Sequence, residues 1–386
     1  LSYRIRTCGD FVKVPTQLVD DTHIQVLENI SCKLPRTVIV SGPYAYLVSS
    51  ELPSLTLKNL RFSVKDDADV FFYLSTDDAD EASIAFIGAD TPQQCHGGVF
   101  KVEAGASLTF GVPVTFSGAS VVAGKRGGAI NSNGYLTFER SANFSSCSVH
   151  NPTGETALAA PQQLPGPDDP GNTVADRPGQ EGPAAVVQWG CGGAVFNGAS
   201  GQAWFRDFTS FEDNRAGDGS AGGGLCNEGV AQFLGRTYFT RNIAAGHVVQ
   251  RRGNGGAIFT ASGALTTLSR EAYFRDNRSG GVGGAVHNEF GARMTLREDG
   301  VFSGNTALSG RGGGRGGHVF SSGLFEVKGN AVFRLGRASQ DGGALFLSES
   351  GEAIFEGNLT FEDNHAMREC HDVYDAGSQT VCRSVR

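Results

Sequence analysis

Gly255-Gly256-Ala257-Ile258, Phe274-Arg275-Asp276-Asn277, Gly283-Gly284-Ala285-Val286 and Phe302-Ser303-Gly304-Asn305 follow one another between residues 255 and 305, and their alternation decides the fold. The first motif is a glycine pair with a large apolar residue two positions later; the second is Phe-x-x-Asn. Outward from this stretch the glycine pair occurs eight times, leading to Phe100, Ile130, Val195, Leu225, Ile258, Val286, Val319 and Leu345. Phe-x-x-Asn recurs as Phe211/Asn214, Phe239/Asn242, Phe274/Asn277, Phe302/Asn305 and Phe361/Asn364. Degenerate copies start at Phe86, Phe116, Phe144 and Phe333, with Ala89, Ala119, Cys147 and Gly336 in the asparagine column. The second glycines stand at 98, 128, 193, 223, 256, 284, 317 and 343, a period of about thirty residues with one long gap. Such a period means stacked units rather than a globular core.

A third apolar alternation lies between the two motifs: Leu108 and Phe110, Leu136 and Phe138, Ala203 and Phe205, Ala231 and Phe233, Met294 and Leu296, Ala353 and Phe355. Each repeat therefore holds three period-2 segments separated by turn residues, which is one coil of a parallel β-helix. Glycine, 55 of 386 residues, opposes helix throughout. About eleven coils spaced about 4.8 Å apart give a rod about 50 Å long. The glycine pair supplies φ > 0 and lets neighbouring coils approach. The apolar residues and phenylalanines form internal ladders, and the asparagine takes the left-handed conformation while bonding its neighbours along the stack. These columns are read as structural.

The expected organisation is an N-terminal cap over 1–35, β-helix over 36–150, an inserted loop over 151–187, β-helix again over 188–366 and a C-terminal cap over 367–386. The stack itself is expected to start near residue 20. Residues 151–183 hold seven of thirteen prolines and lose the repeat. That composition buries too little to order itself and is read as a loop leaving one corner, available for contact with a partner.

A net charge of −8 excludes nucleic acid as the main partner. No apolar run is long enough to span a membrane. The first residue is Leu1, and the expectation is a processed or partial chain. Disulfides stapling both ends are expected as Cys8 with Cys32 and Cys370 with Cys382. Cys147 and Cys191 flank the long gap and are candidates to close it, while Cys95 and Cys226 have no evident partner. No zinc-like spacing occurs, and neither a metal nor a cofactor is expected. Four Asn-x-Ser/Thr sequons, at Asn29, Asn143, Asn277 and Asn358, support secretion. Asn277 ranks below Asn143 and Asn358 because it also lies in the asparagine column.

Over residues 95 to 366 the alternation of GGAI-like and FxxN motifs resembles the repeat of the chlamydial polymorphic outer-membrane protein family. GGAI itself occurs at Gly127–Ile130 and Gly255–Ile258, with GGAV, GGAL and GGHV elsewhere. The resemblance implies a right-handed parallel β-helix displayed outside the cell and a role in adhesion. Cysteine-bearing ends and sequons point to a secreted, eukaryotic version.

Polysaccharide lyases, hydrolases and epimerases also use β-helices. Glycoside hydrolysis needs two carboxylates facing one groove. The acidic pairs Asp20/Asp21, Asp66/Asp67, Asp77/Asp78 and Asp168/Asp169 lack a catalytic context, and His371 with Asp372 and Asp375 falls in the cap. Lys125, Arg126, Arg251, Arg252, Arg311 and Arg315 all precede glycine pairs, and could form a discontinuous stripe for an acidic glycan. The leading expectation is a non-catalytic extracellular rod that assembles with itself or other structural proteins. A glycan-binding module is the first alternative and a polysaccharide-active enzyme the second.

Overall fold

The computed structural model describes residues 2–11, 21–43, 45–65, 67–75, 82–88, 98–122, 125–150, 190–217, 219–246, 253–309, 313–368 and 370–377. Among them are 40 strands and one four-residue helix, Cys8–Phe11. The strands pair in parallel with one register from coil to coil, and the protein is a parallel β-helix. One coil reads Val286–Asn288 on the glycine-pair face, Arg293–Leu296 on the middle face, Gly300–Ser303 on the phenylalanine face and Thr306–Ala307 just past the asparagine corner. The last segment is a fourth strand that period-2 reading does not find. It is two residues long in most coils, yet eight of them form their own sheet.

The middle face stacks twelve strands, the first being Ser2–Ile5, so the stack begins ahead of residue 20. Near this end two faces merge. Ser54–Val64 pairs through Leu57 with Phe86 on the phenylalanine face and through Phe62 with Phe100 on the glycine-pair face. Between them Asn59 takes φ 59° and turns the strand round the corner.

Packing explains the repeat residues. Phe86, Phe116, Phe144, Phe211, Phe239, Phe274, Phe302, Phe333 and Phe361 stack nearly parallel, with centroids 4.6–5.4 Å apart. A second stack, Phe72 to Phe110, Phe138, Phe205 and Phe233, meets it edge to face from the middle face. Ile130, Val195, Leu225, Ile258, Val286 and Val319 are fully buried on the third side, as is Leu345 at 1% exposure.

The two glycines of each pair do different work. The first has positive φ, 65° at Gly255 and 64° at Gly283. A Cβ on the second would overlap a carbonyl oxygen of the next coil, Gly256 against Gly284 and Gly284 against Gly317. At the other corner the positive φ belongs to the residue before asparagine, as at Asp213, Arg241, Asp276 and Asp363, and not to the asparagine as the sequence reading had it. Relieved of the turn conformation, the asparagine points its carboxamide inward.

Cys8 and Cys32 form the expected disulfide, and the adjacent Phe11 is 3% exposed with its ring edge-on to Phe62. The pairing of Cys147 with Cys191 is overturned: Cys191 bonds Cys226, and Cys147 is a buried free thiol. Cys147 occupies the asparagine column and faces the interior, whereas Cys191 and Cys226 lie outside the glycine-pair face in neighbouring coils. Cys370 is disulfide-bonded; Cys382, like Cys95, lies outside the described residues.

Candidate functional surfaces

Four candidate surfaces follow from these faces: the asparagine corner, the exterior of the glycine-pair face, the exterior of the middle face, and the ends. At the corner, each carboxamide is fully used. Asn242 Oδ1 accepts from the backbone N–H of Asn214 at 3.2 Å and its Nδ2 at 2.9 Å, while Asn242 Nδ2 donates to Phe211 O at 2.9 Å and to Asn277 Oδ1 at 3.0 Å. Asn277 repeats the pattern with Phe239 O and Asn305 Oδ1. It is fully buried, which removes it as a glycan acceptor. Asn29 and Asn358 are exposed, and Asn143 is half-buried with its Oδ1 accepting from Ser210 Oγ at 2.8 Å.

Gly336 leaves a gap in this ladder, and His318 fills it from the glycine-pair turn of the same coil. Its Nδ1 lies 2.9 Å from Asn305 Nδ2 and its Nε2 3.1 Å from Asn364 Oδ1. Those partners select the neutral tautomer protonated on Nε2. Burial pushes the imidazole pKa down to about 3. A Cβ on Gly336 would sit 2.5 Å from His318 Nε2, so the glycine and the histidine are complementary.

Outside the glycine-pair face runs a column that the sequence reading missed. The residue after the buried apolar one is Phe196, Cys226, Phe259, His287, Phe320, Phe346 and Tyr374 in successive coils. Phe196, Cys226, His287 and Phe346 are at most 6% exposed although they point away from the interior. Phe320 stacks on Phe346 at 5.1 Å and Phe346 on Tyr374 at 4.9 Å, while His287 sits edge-on between Phe259 and Phe320. Burial lowers the His287 pKa to about 3, and its Nδ1 has no partner among the described residues. The aromatic position after each GGxΦ was the available signal.

This column is what the corner arginines cover. Arg126 lies 4.5 Å over the Phe196 ring and donates to Glu228 at 3.1 Å. Arg315 lies 5.2 Å over Phe346 with Asp341 at 3.8 Å. Both are engaged within the chain. Lys125 is exposed; Arg251, Arg252 and Arg311 lie outside the described residues, as do Asp20, Asp66, Asp77, Asp78, Asp168 and Asp169. No described His, Cys, Asp and Glu residues cluster as metal ligands, and no described helix is long and apolar enough to cross a membrane.

The middle face presents apolar side chains outward. A shallow open depression of about 500 Å³ lies among Leu265, Phe290, Arg293, Leu324 and Glu352, with Phe290 67% exposed. The two ends differ. Phe11 and the Cys8–Cys32 disulfide cover the first coils, whereas Ala353, Phe355, Leu359 and Phe361 in the last full coil are only half-buried. Their register partners one coil earlier, Phe325, Val327, Ala331 and Phe333, are at most 1% exposed.

Compared with known proteins, the chain matches no family model and no solved structure.

Proposed function

We propose that the protein is a non-catalytic extracellular rod that acts in assembly or adhesion, associating with copies of itself or with other structural proteins. The observation that carries this reading is the last full coil, where interior columns sealed elsewhere reach the surface at Phe355, Leu359 and Phe361. Among the described residues, strands Glu352–Phe355 and Leu359–Glu362 have register partners in the preceding coil and none in a later one, so a further coil could pair with them. Parallel stacking would satisfy both at once, because exposed edges and apolar ladders are completed by the same added strand. The repeat's resemblance to surface-displayed polymorphic outer-membrane proteins and the disulfides support an extracellular setting.

The test is the association state of the full chain by sedimentation and electron microscopy. Self-association that weakens in Leu359→Glu, with the circular dichroism of the parent retained, is the expected result. A full chain that remains monomeric at high concentration, alone and in its native extract, overturns the reading.

A further inference from the structure

We propose that the outer side of the asparagine corner carries a binding site for a linear acidic polysaccharide, formed by Arg275, Arg278, Arg334 and Arg337. Two sequence segments of the same form create it: Phe274-Arg275-Asp276-Asn277-Arg278 and Phe333-Arg334-Leu335-Gly336-Arg337. In each, the first arginine is the outward residue at the end of the phenylalanine-face strand, and the second opens the short strand beyond the corner.

The register places these side chains in two columns. Arg275 pairs with Ser303 and Ser303 with Arg334; Arg278 pairs with Thr306 and Thr306 with Arg337. The arginine pairs are therefore two coils apart, about 10 Å along the rod axis. The coil between them offers only small hydroxyl side chains, which makes a saddle with a pair of cations on each side.

The cations are available. Arg275, Arg334 and Arg337 are exposed and Arg278 is half-buried. Arg278 and Arg337 make no ion pair among the described residues. Arg275 is held 3.2 Å from Asp276, its neighbour in sequence, and Arg334 Nε donates to Ser303 Oγ at 3.2 Å. Asp276 is the one acidic residue inside the patch, its carboxylate lying against Arg275 and beside Gly304 of the middle coil, and the other acidic residues bound it. Glu362 is the register partner of Arg334 on one side, and on the other Glu212 and Asp213 are taken up by Arg241 at 2.5 and 2.8 Å.

Spacing and shape select the ligand class. Guanidinium groups two coils apart match a chain charged on every second sugar, since two pyranose rings span about that distance; a nucleic-acid strand carries a phosphate about every 3.4 Å of its axis. Leu335, 50% exposed at φ 57°, projects an apolar tip between Arg334 and Arg337, where a bulky side chain at positive φ is uncommon. It suits the C–H face of a pyranose. Arginine forks then engage carboxylate or sulfate oxygens on either side.

This inference is independent of end-to-end association, because the site lies on the flank of the rod. The test uses the full chain with a hyaluronan decasaccharide, and with chondroitin sulfate as its sulfated counterpart, by calorimetry at low and moderate salt. Binding should be salt-sensitive. Arg278→Gln with Arg337→Gln should weaken it about tenfold, and replacing all four arginines should abolish it. Arg236→Gln with Arg270→Gln removes two cations from another corner, already paired to Glu271 and Glu298, and should leave affinity unchanged. Failure to bind either polysaccharide, unchanged affinity in the fourfold variant, an equal loss in the control, or tighter binding to single-stranded DNA of equal charge would each overturn the site.

Discussion

The coils before residue 151 and those after residue 189 share one backbone path but are held by different devices. In the first region a cluster of phenylalanines runs through the interior: Phe62, Phe72, Phe86, Phe100, Phe110 and Phe116 meet face to face along each column and edge to face between columns. Its asparagine column holds Ala119 and Cys147, and the residue outside its glycine-pair face is Lys101 or Asn131. In the second region the middle phenylalanine stack ends at Phe233, and Leu268, Leu296 and Val327 continue its column. Rigidity there comes from a hydrogen-bonded corner and from an aromatic column clamped outside. A β-helix thus requires consistency down each column more than any one residue type.

Acid should separate the regions most strongly. His287 and His318 are both in the second region and buried neutral, with pKa values lowered to about 3. The unfolded chain takes up their protons near the ordinary histidine value, so their contribution is complete above about pH 6.5 and is lost as pH falls toward 3. The loss is about 1.4 kcal/mol per pH unit for each, or about 5 kcal/mol for the pair by pH 4.5. Hydrogen exchange should show coils near residues 287 and 318 opening while those before 151 stay protected. His318→Ala should lower stability at pH 8 and flatten the acid slope by one proton. Uniform acid opening along the rod would remove the contrast.

Next in size is the aromatic interior. Phe116→Ala should cost about 4 kcal/mol, because the ring touches Phe86, Phe144, Phe100, Phe110 and Phe138 and the stack cannot close over the void. Denaturant unfolding measures this directly. Asn277→Ala, in the other region, should cost about 3 kcal/mol. It strands the Asn242 N–H and takes one hydrogen bond each from Asn242 Nδ2, Phe239 O and Asn305 Oδ1. A cost below that of an exposed alanine substitution would mean the carboxamides are replaceable.

What the sequence disclosed, and what it hid, follows from the same contrast. Inside-outside alternation reports interior columns, so Ile258, Phe274 and their equivalents were legible, and glycine's two uses could be argued from chemistry alone. The exterior column was hidden because Phe259 or His287 on the outward side of a strand reads as solvent-facing until the preceding corner is folded over it. The His318 and Gly336 exchange was hidden for a related reason. A polar residue in a glycine turn and a glycine in an asparagine column each look like a degenerate copy, and only the coil brings them within bonding distance. The second polar corner, Ser132, Asn197, Asn227, Thr260, Asn288 and Ser321, was in plain view two residues after each apolar position, and all six are fully buried. Disulfide partners depend on which side of the wall each cysteine faces, which spacing does not encode.

The smallest effect gives the finest test. Cys147 stands where the second region's asparagine ladder would continue into the first. Its backbone N–H already donates to Asn214 Oδ1 at 2.9 Å, and its Sγ lies 3.7 Å from Phe116 O, the carbonyl that an asparagine there would bond. The thiol is inert in place, because burial pushes its pKa up to about 12. Cys147→Asn would offer a stronger donor to Phe116 O, leaving its Oδ1 to accept from the Ala119 corner, for a gain of about 1 kcal/mol. Should the variant instead be destabilised, the first region's corner would be shown too narrow for the carboxamide, and the boundary between the two devices would be set by space rather than by which residue happened to occupy the column.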